Sequence, residues 1–243
     1  MMSVETQVTK EDMLVGRLVI YSDLAQCFYY PEKPTIALLK GEMEAHLPFY
    51  ELVGLDIKPH LNAIKRWMQG YKDNGDIWLE LQKEHTRLFI NARPKVPAPP
   101  YGSLYLEKEG LVWGKTTVEA VKLYVESGLK MADDFKDIPD YFATELEFMW
   151  YLIREEIKAR GGVLEEKASG DGGIEGVDIK KAKKMANLQA KFLKKHIGAW
   201  YEMFLDRVRS STSSVFYSEV SALARDFISK EKLYLTNKKG IKA

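Results

Sequence analysis

The chain has a single cysteine, Cys27, among its 243 residues. One thiol makes no intramolecular disulfide, no cysteine zinc cluster and no iron–sulfur ligand set. That excludes a secreted disulfide scaffold and fits a reducing compartment. Histidine is nearly as scarce. His46, His60, His85 and His196 are the four present, and none pairs at a metal-ligand spacing such as H-E-x-x-H. No apolar run approaches the roughly 18 residues of a membrane span. The N-terminal MMSVETQVTKEDMLVG lacks the basic-then-apolar order of a signal peptide, so the expected location is cytoplasmic. Net charge is also missing. The 36 Lys+Arg nearly balance the 35 Asp+Glu, which argues against a general binder of nucleic acid or membrane surface. Apolar content is not short, at 46%. The chain is therefore not disordered, and it is long enough for a sizeable core in one domain or two.

The periodicity that is present is helical. Met13, Leu14, Leu18, Tyr21, Leu24 and Phe28 recur at spacings of three and four, which makes one apolar face. Trp78, Leu81, His85 and Leu88 repeat the pattern, as do Phe142, Leu146, Met149, Ile153 and Ile157, and Phe192, His196, Trp200, Phe204 and Val208. Alternation typical of strands is confined to one short candidate, Ser103 to Leu106. The expectation is an all-α helical bundle of about nine to ten helices. Two breaks divide it. NARPKVPAPPYG, residues 91–102, holds four of the nine prolines and reads as an extended loop. The loop gives way to a capping-box pattern at Thr116-Thr117-Val118-Glu119. GGVLEEKASGDGGIEGV, residues 161–177, holds six glycines and reads as a flexible hinge. Expected parts are a main helical domain (1–160), the hinge (161–177) and C-terminal helices (178–243) that pack on the main domain or swap between copies.

Split at the hinge, the neutral total becomes dipolar. Residues 178–243 carry 15 Lys+Arg against 6 Asp+Glu, and residues 1–177 carry 21 against 29. Eight acids lie within 133–156. Asp137 as N-cap and Asp140 in the first turn would suit a helix dipole. The same acids beside Phe135, Tyr141 and Phe142 could instead receive an arginine-rich peptide, because guanidinium pairs with carboxylate and stacks on aromatic faces. Glu145 and Glu147 are two apart and share no helix face, which weakens a paired-carboxylate acid/base site. Lys180, Lys181, Lys183, Lys184, Lys191, Lys194 and Lys195 form either a solvated helix face or a nucleic-acid patch, and no aromatics interleave them for stacking. His85 and His196 lie on apolar faces and read as core histidines. Cys27, in AQCFYY, reads as buried thiol.

The block EHTRLFINARPKVPAPPYGSLYLEKEGLVWGKTT, residues 84–117, resembles the signature region of the TorD/DmsD-like chaperones of molybdoenzymes. The family's aromatic-x-x-Leu-Phe element appears as His85-x-x-Leu88-Phe89. Its Pro-Pro-Tyr/Trp-x-Ser element appears as Pro99-Pro100-Tyr101-Gly102-Ser103, and its Gly-x-x-Thr helix start as Gly114 to Thr117. The Glu-Pro-x-Asp-His box has its counterpart in Asp137-Ile138-Pro139-Asp140-Tyr141. Residues 192–208 and 215–228 are similar to the family's closing helices. His85 stands where the family usually has Tyr, Phe or Trp, Ile138 replaces the box's first Pro, and Tyr141 replaces its His. The resemblance implies a cytoplasmic, non-enzymatic chaperone without a cofactor of its own. Its partner would be an apo molybdoenzyme catalytic subunit or that subunit's twin-arginine signal peptide, held until molybdopterin is inserted. It would act as a monomer or a domain-swapped dimer. The resemblance carries client contact to Leu88, Phe89, Tyr101, Gly102, Ser103, Gly114, Asp137, Pro139, Asp140 and Tyr141. Asp140 is expected to touch the client directly, and Leu88 and Phe89 to shape the pocket floor. The alternative function is nucleic-acid binding by the basic final third.

Overall fold

The computed structural model describes residues 8–108, 110–129, 138–162 and 177–237. The fold is all-α, as expected. In chain order the helices are α1 (Lys10–Phe28), α2 (Lys33–Ala37), α3 (Met43–Ala45), α4 (Leu47–Leu52), α5 (Lys58–Met68) and α6 (Asn74–His85). They continue with α7 (Ser103–Leu106), α8 (Lys115–Ser127), α9 (Phe142–Ala159), α10 (Ile179–Lys195), α11 (Ile197–Ser211) and α12 (Val215–Asn237). Wider π-type turns at Leu38–Glu42 and Thr86–Ile90 join α2 to α3 and extend α6.

α1 starts at a true capping box: the Thr9 hydroxyl accepts from Asp12 N at 3.1 Å, and the Asp12 carboxylate accepts from Thr9 N at 2.9 Å. It then runs through the middle of the molecule, packing chiefly on α9, with α4 and α12 around it. This explains why it buries Arg17 and Asp23 along with Leu14, Leu24 and Phe28. α9 receives α10 on another side, and α11 and α12 close the bundle against each other, with α12 also resting on α5. The core is rich in aromatics. Phe142 meets Phe28 and Phe204 at ring-centroid distances of 4.8 and 4.7 Å. The 163–176 part of the glycine-rich hinge lies outside the described residues. Its two ends meet, since Asp178 N donates to Ala159 O at 2.8 Å.

Three local expectations are corrected. Ser103 to Leu106 is a single helical turn, not a strand. No strand among the described residues offers it a ladder, and its amide bonds close locally, with Tyr105 N and Leu106 N on Gly102 O at 3.0 Å. Thr116 does not cap α8. The helix begins at Lys115, and Glu107 reaches back from the preceding turn to accept from Thr116 N at 2.6 Å. Asp140 is not in the first turn of α9, because the N-cap is Tyr141; Asp137 lies outside the described residues. In addition, the apolar face Phe192 to Val208 spans two helices. The chain breaks at His196, where φ is −118° and ψ is −114°. Gly198 permits the break, because a Cβ there would collide with the Leu193 carbonyl oxygen.

Candidate functional site

The Pro-rich loop and the lead-in to α9 are far apart in sequence and bonded in space. Gly102 N donates to Asp140 O at 2.9 Å, and Phe142 N donates to Pro100 O at 2.8 Å. Together they make an isolated antiparallel bridge between Tyr101 and Tyr141. The Asp140 carboxylate adds a third tie, accepting from Ser103 N at 2.6 Å. Beneath the bridge Gly102 lies against Trp200, whose Nε1 would sit 3.0 Å from a Cβ at that position. No larger residue fits there without displacing the indole. Trp200 in turn donates to Glu145 Oε2 at 2.9 Å and stacks on Tyr105. From the sides, Tyr124 OH donates to Pro139 O at 2.5 Å and Tyr141 OH donates to Phe28 O at 2.7 Å.

The expected site residues therefore divide. Tyr101, Gly102, Ser103, Pro139, Asp140 and Tyr141 come together in this platform. Leu88 and Phe89 are buried below it, and Phe89 packs on His85, Phe204 and Tyr217. Gly114 belongs to the neighbouring turn, where the Glu107 carboxylate occupies the space a Cβ would need. Asp140, expected to touch the client directly, has a fully buried side chain whose carboxylate is bonded to Ser103 N. Glu145 is likewise buried, and so is Glu156, so the acidic segment is only in part a solvated face. Glu147, two residues from Glu145, points outward and accepts from Tyr29 OH at 2.6 Å.

Electrostatics separates these groups further. Burial pushes the Glu145 carboxyl well above the usual range, against a smaller opposing effect of the Trp200 bond. Burial, with help from Lys195, holds His196 down to about 4, and His85 is held by burial at about 4 as well. Both histidines are thus neutral core residues. The Cys27 thiol is pushed up by burial and is no nucleophile. Among the described residues no group of three His, Cys, Asp or Glu could hold a metal ion. No helix of the described residues is long and apolar enough to cross a membrane.

His85 and Tyr141, two of the positions where the sequence departs from its resemblance, meet at one atom. His85 Nε2 donates to Phe28 O at 3.3 Å, the carbonyl that Tyr141 OH also reaches. Next to them, between α1, α2 and α9, opens a cavity of about 490 Å³. Tyr29, Tyr30, Glu32, Glu147 and Trp150 are among its lining residues. Sequence reasoning considered Glu147 as one acid of the 133–156 segment and missed the other four. Tyr29-Tyr30-Pro31-Glu32 directly follows the first helix, and two adjacent tyrosines at a helix end were the available signal. In the basic stretch, Lys181 pairs with Glu155 at 2.9 Å and Lys191 with Glu126 at 2.8 Å, which uses part of it for internal neutralisation.

Comparison with known proteins places these features. Residues 56–206 match the family described as nitrate reductase delta subunit. The chain is 25% identical to a chaperone protein TorD of Vibrio parahaemolyticus over 179 residues, 74% of this chain and 75% of that one. It is 33% identical to a chaperone protein TorD of Photobacterium profundum over 123 residues, 49% and 55% of the two chains. A crystal structure from Archaeoglobus fulgidus, described as a candidate redox enzyme maturation protein, superposes with a TM-score of 0.53 at 20% identity. The superposition covers 94% of this chain and 99% of that one, which supports the fold. The chain belongs to the nitrate reductase delta subunit family of TorD-like redox enzyme maturation chaperones, which are not enzymes.

Proposed function

We propose that this protein is a cytoplasmic, system-specific chaperone for an apo molybdoenzyme catalytic subunit. It holds that subunit, through a twin-arginine signal peptide, until the molybdopterin cofactor is inserted and assembly or export can follow. The observation that carries this reading is the union of Pro99–Ser103 with Pro139–Phe142 in one rigid platform beside an aromatic, acid-lined cavity. A preorganised surface of this kind suits an extended peptide, because little ordering is left to be done on binding. Tyr101 and the edge of Tyr141 are the platform's client-facing groups. Leu88 and Phe89 fix its floor. Asp140, Ser103, Gly102, Pro139 and Gly114 hold its shape.

In this reading α10–α12 are the part that could exchange between two copies about residues 161–177. Light scattering on the purified protein distinguishes a monomer from a swapped dimer. The decisive experiment for the function is co-purification from the native host, with the bound subunit identified by mass. An apo molybdoenzyme subunit is the expected catch. Recovery of nucleic acid in its place, with a steep salt dependence, would favour the basic C-terminal helices as the working surface.

A further inference from the structure

We propose that the cavity between α1, α2 and α9 receives an arginine side chain, with Glu147 as its carboxylate partner and Tyr29 and Tyr30 as flanking rings. The proposal rests on the peptide-binding reading above and names a subsite for it. Among the described residues the lining holds two carboxylates, Glu32 and Glu147, and no lysine or arginine. A cation is therefore the complementary occupant. Tyr29 OH donates to one oxygen of Glu147, Oε2, and no partner of Oε1 is found among the described residues. The lining rings favour a planar guanidinium over the compact ammonium of lysine. The same chain already shows this preference, since the Arg154 guanidinium lies 5.4 Å from the Trp150 ring centroid. That contact engages Trp150, and Tyr30 is the exposed ring beside Glu147. Tyr30 is 44% exposed.

Two further observations favour a peptide over a free cation. Gln26 lines the cavity, and its Nε2 is buried without a partner among the described residues, a donor suited to a backbone carbonyl. The cavity also adjoins the platform through Tyr29. Tyr29 contacts Tyr141 at a centroid distance of 5.8 Å, and Tyr141 contacts Tyr101 at 5.8 Å. Roughly three residues of extended chain span that row of rings, so a peptide lying on Tyr101 can place an arginine beside Glu147.

Calorimetry on the full-length protein tests this. The probes are a synthetic peptide with two adjacent arginines ahead of an apolar stretch and its lysine counterpart. The variants are Glu147→Gln and Tyr30→Ala, with Glu126→Gln as a control that removes a distant exposed acid. The expected result is a loss of at least about fivefold for Glu147→Gln and for Tyr30→Ala. The preference for arginine over lysine should disappear in both variants, and Glu126→Gln should bind as the wild type does. Equal affinity of wild type and Glu147→Gln for the arginine peptide overturns the subsite and leaves the chaperone reading standing. So does capture of a molybdoenzyme subunit by a wild-type protein that ignores the arginine peptide. A protein that captures neither peptide nor subunit overturns both.

Discussion

The Phe28 carbonyl, at the end of α1, accepts from both His85 and Tyr141. Sequence comparison marks these as two unrelated departures from a motif. The structure makes them a shared solution to one buried acceptor, which no spacing rule reveals because 55 residues of chain lie between them. Tyr141→Phe removes the shorter bond and leaves His85 to satisfy the carbonyl. The expected cost is about 1 kcal/mol in a denaturant titration, with the fold intact. Asp140 is a harder case. Asp140→Ala leaves Ser103 N unpaired in a buried place, and a loss of about 1–3 kcal/mol is expected. Asp140→Asn keeps an acceptor oxygen and should recover most of it. If both variants bind client peptide as the wild type does at matched folded fraction, the positioning role assigned to this side chain is wrong.

Helix faces were legible because burial imposes a period of three to four on long segments, as in Phe142, Leu146, Met149, Ile153 and Ile157, all buried in α9. Short segments were not legible. Ser103–Leu106 is too brief for periodicity to distinguish a strand from a turn, and its outcome depended on Gly102 accepting locally. The break at His196 was hidden because the apolar spacing continues across it. α12 shows a different limit. Its main polar anchor is Arg17 of α1, which makes a bidentate pair with Glu231 at 2.7 Å and also reaches Gln189 of α10 at 3.0 Å. Burial opposes the charge on Arg17, but the Glu231 carboxylate and its hydrogen bonds outweigh that and keep it protonated. Glu231→Gln leaves a buried guanidinium without its counter-charge, and we expect a loss of about 3–5 kcal/mol. Replacing both partners by apolar residues of similar volume should cost far less. Thermal melts of the single and double variants separate these outcomes.

For the molecule as a whole, the charge split at the hinge offers attraction between opposite charges as one way to join the two parts. The structure assigns most of that role to a shared core, since α9 packs on α1 and α10 alike and α12 rests on α1 and α5. The buried Arg17–Glu231 pair runs against the split, with its cation in the acidic part and its anion in the basic part. A single cooperative unfolding transition is expected; two separated transitions would count against a common core. Acid stability follows from the two neutral histidines. In the fold each stays unprotonated until about pH 4, whereas the unfolded chain takes up a proton near 6.5. Stability should therefore fall as pH drops through that window, by roughly 1.4 kcal/mol per pH unit for each histidine. Glu145 acts in the opposite direction, because its raised carboxyl favours the fold at low pH and that contribution is lost as pH rises above about 4.5. His85→Gln should flatten the acid slope measured by urea titration, and Glu145→Gln should steepen it. As for the site, its motif residues were legible and its cavity was not. The cavity needs α1, α2 and α9 to converge, and that convergence is set by packing between distant segments.

The bond between Arg17 and Glu231 spans 214 positions of the chain. During synthesis, the first helix leaves the ribosome long before the last one exists. At about 5–20 residues per second, that interval lasts on the order of 10–40 s. For that time a guanidinium destined for a sealed interior has no counter-ion, and the apolar faces of the first helix lack α12 throughout and α9 until it too is made. A member of a maturation-chaperone family is itself, in its own making, unfinished until α12 emerges.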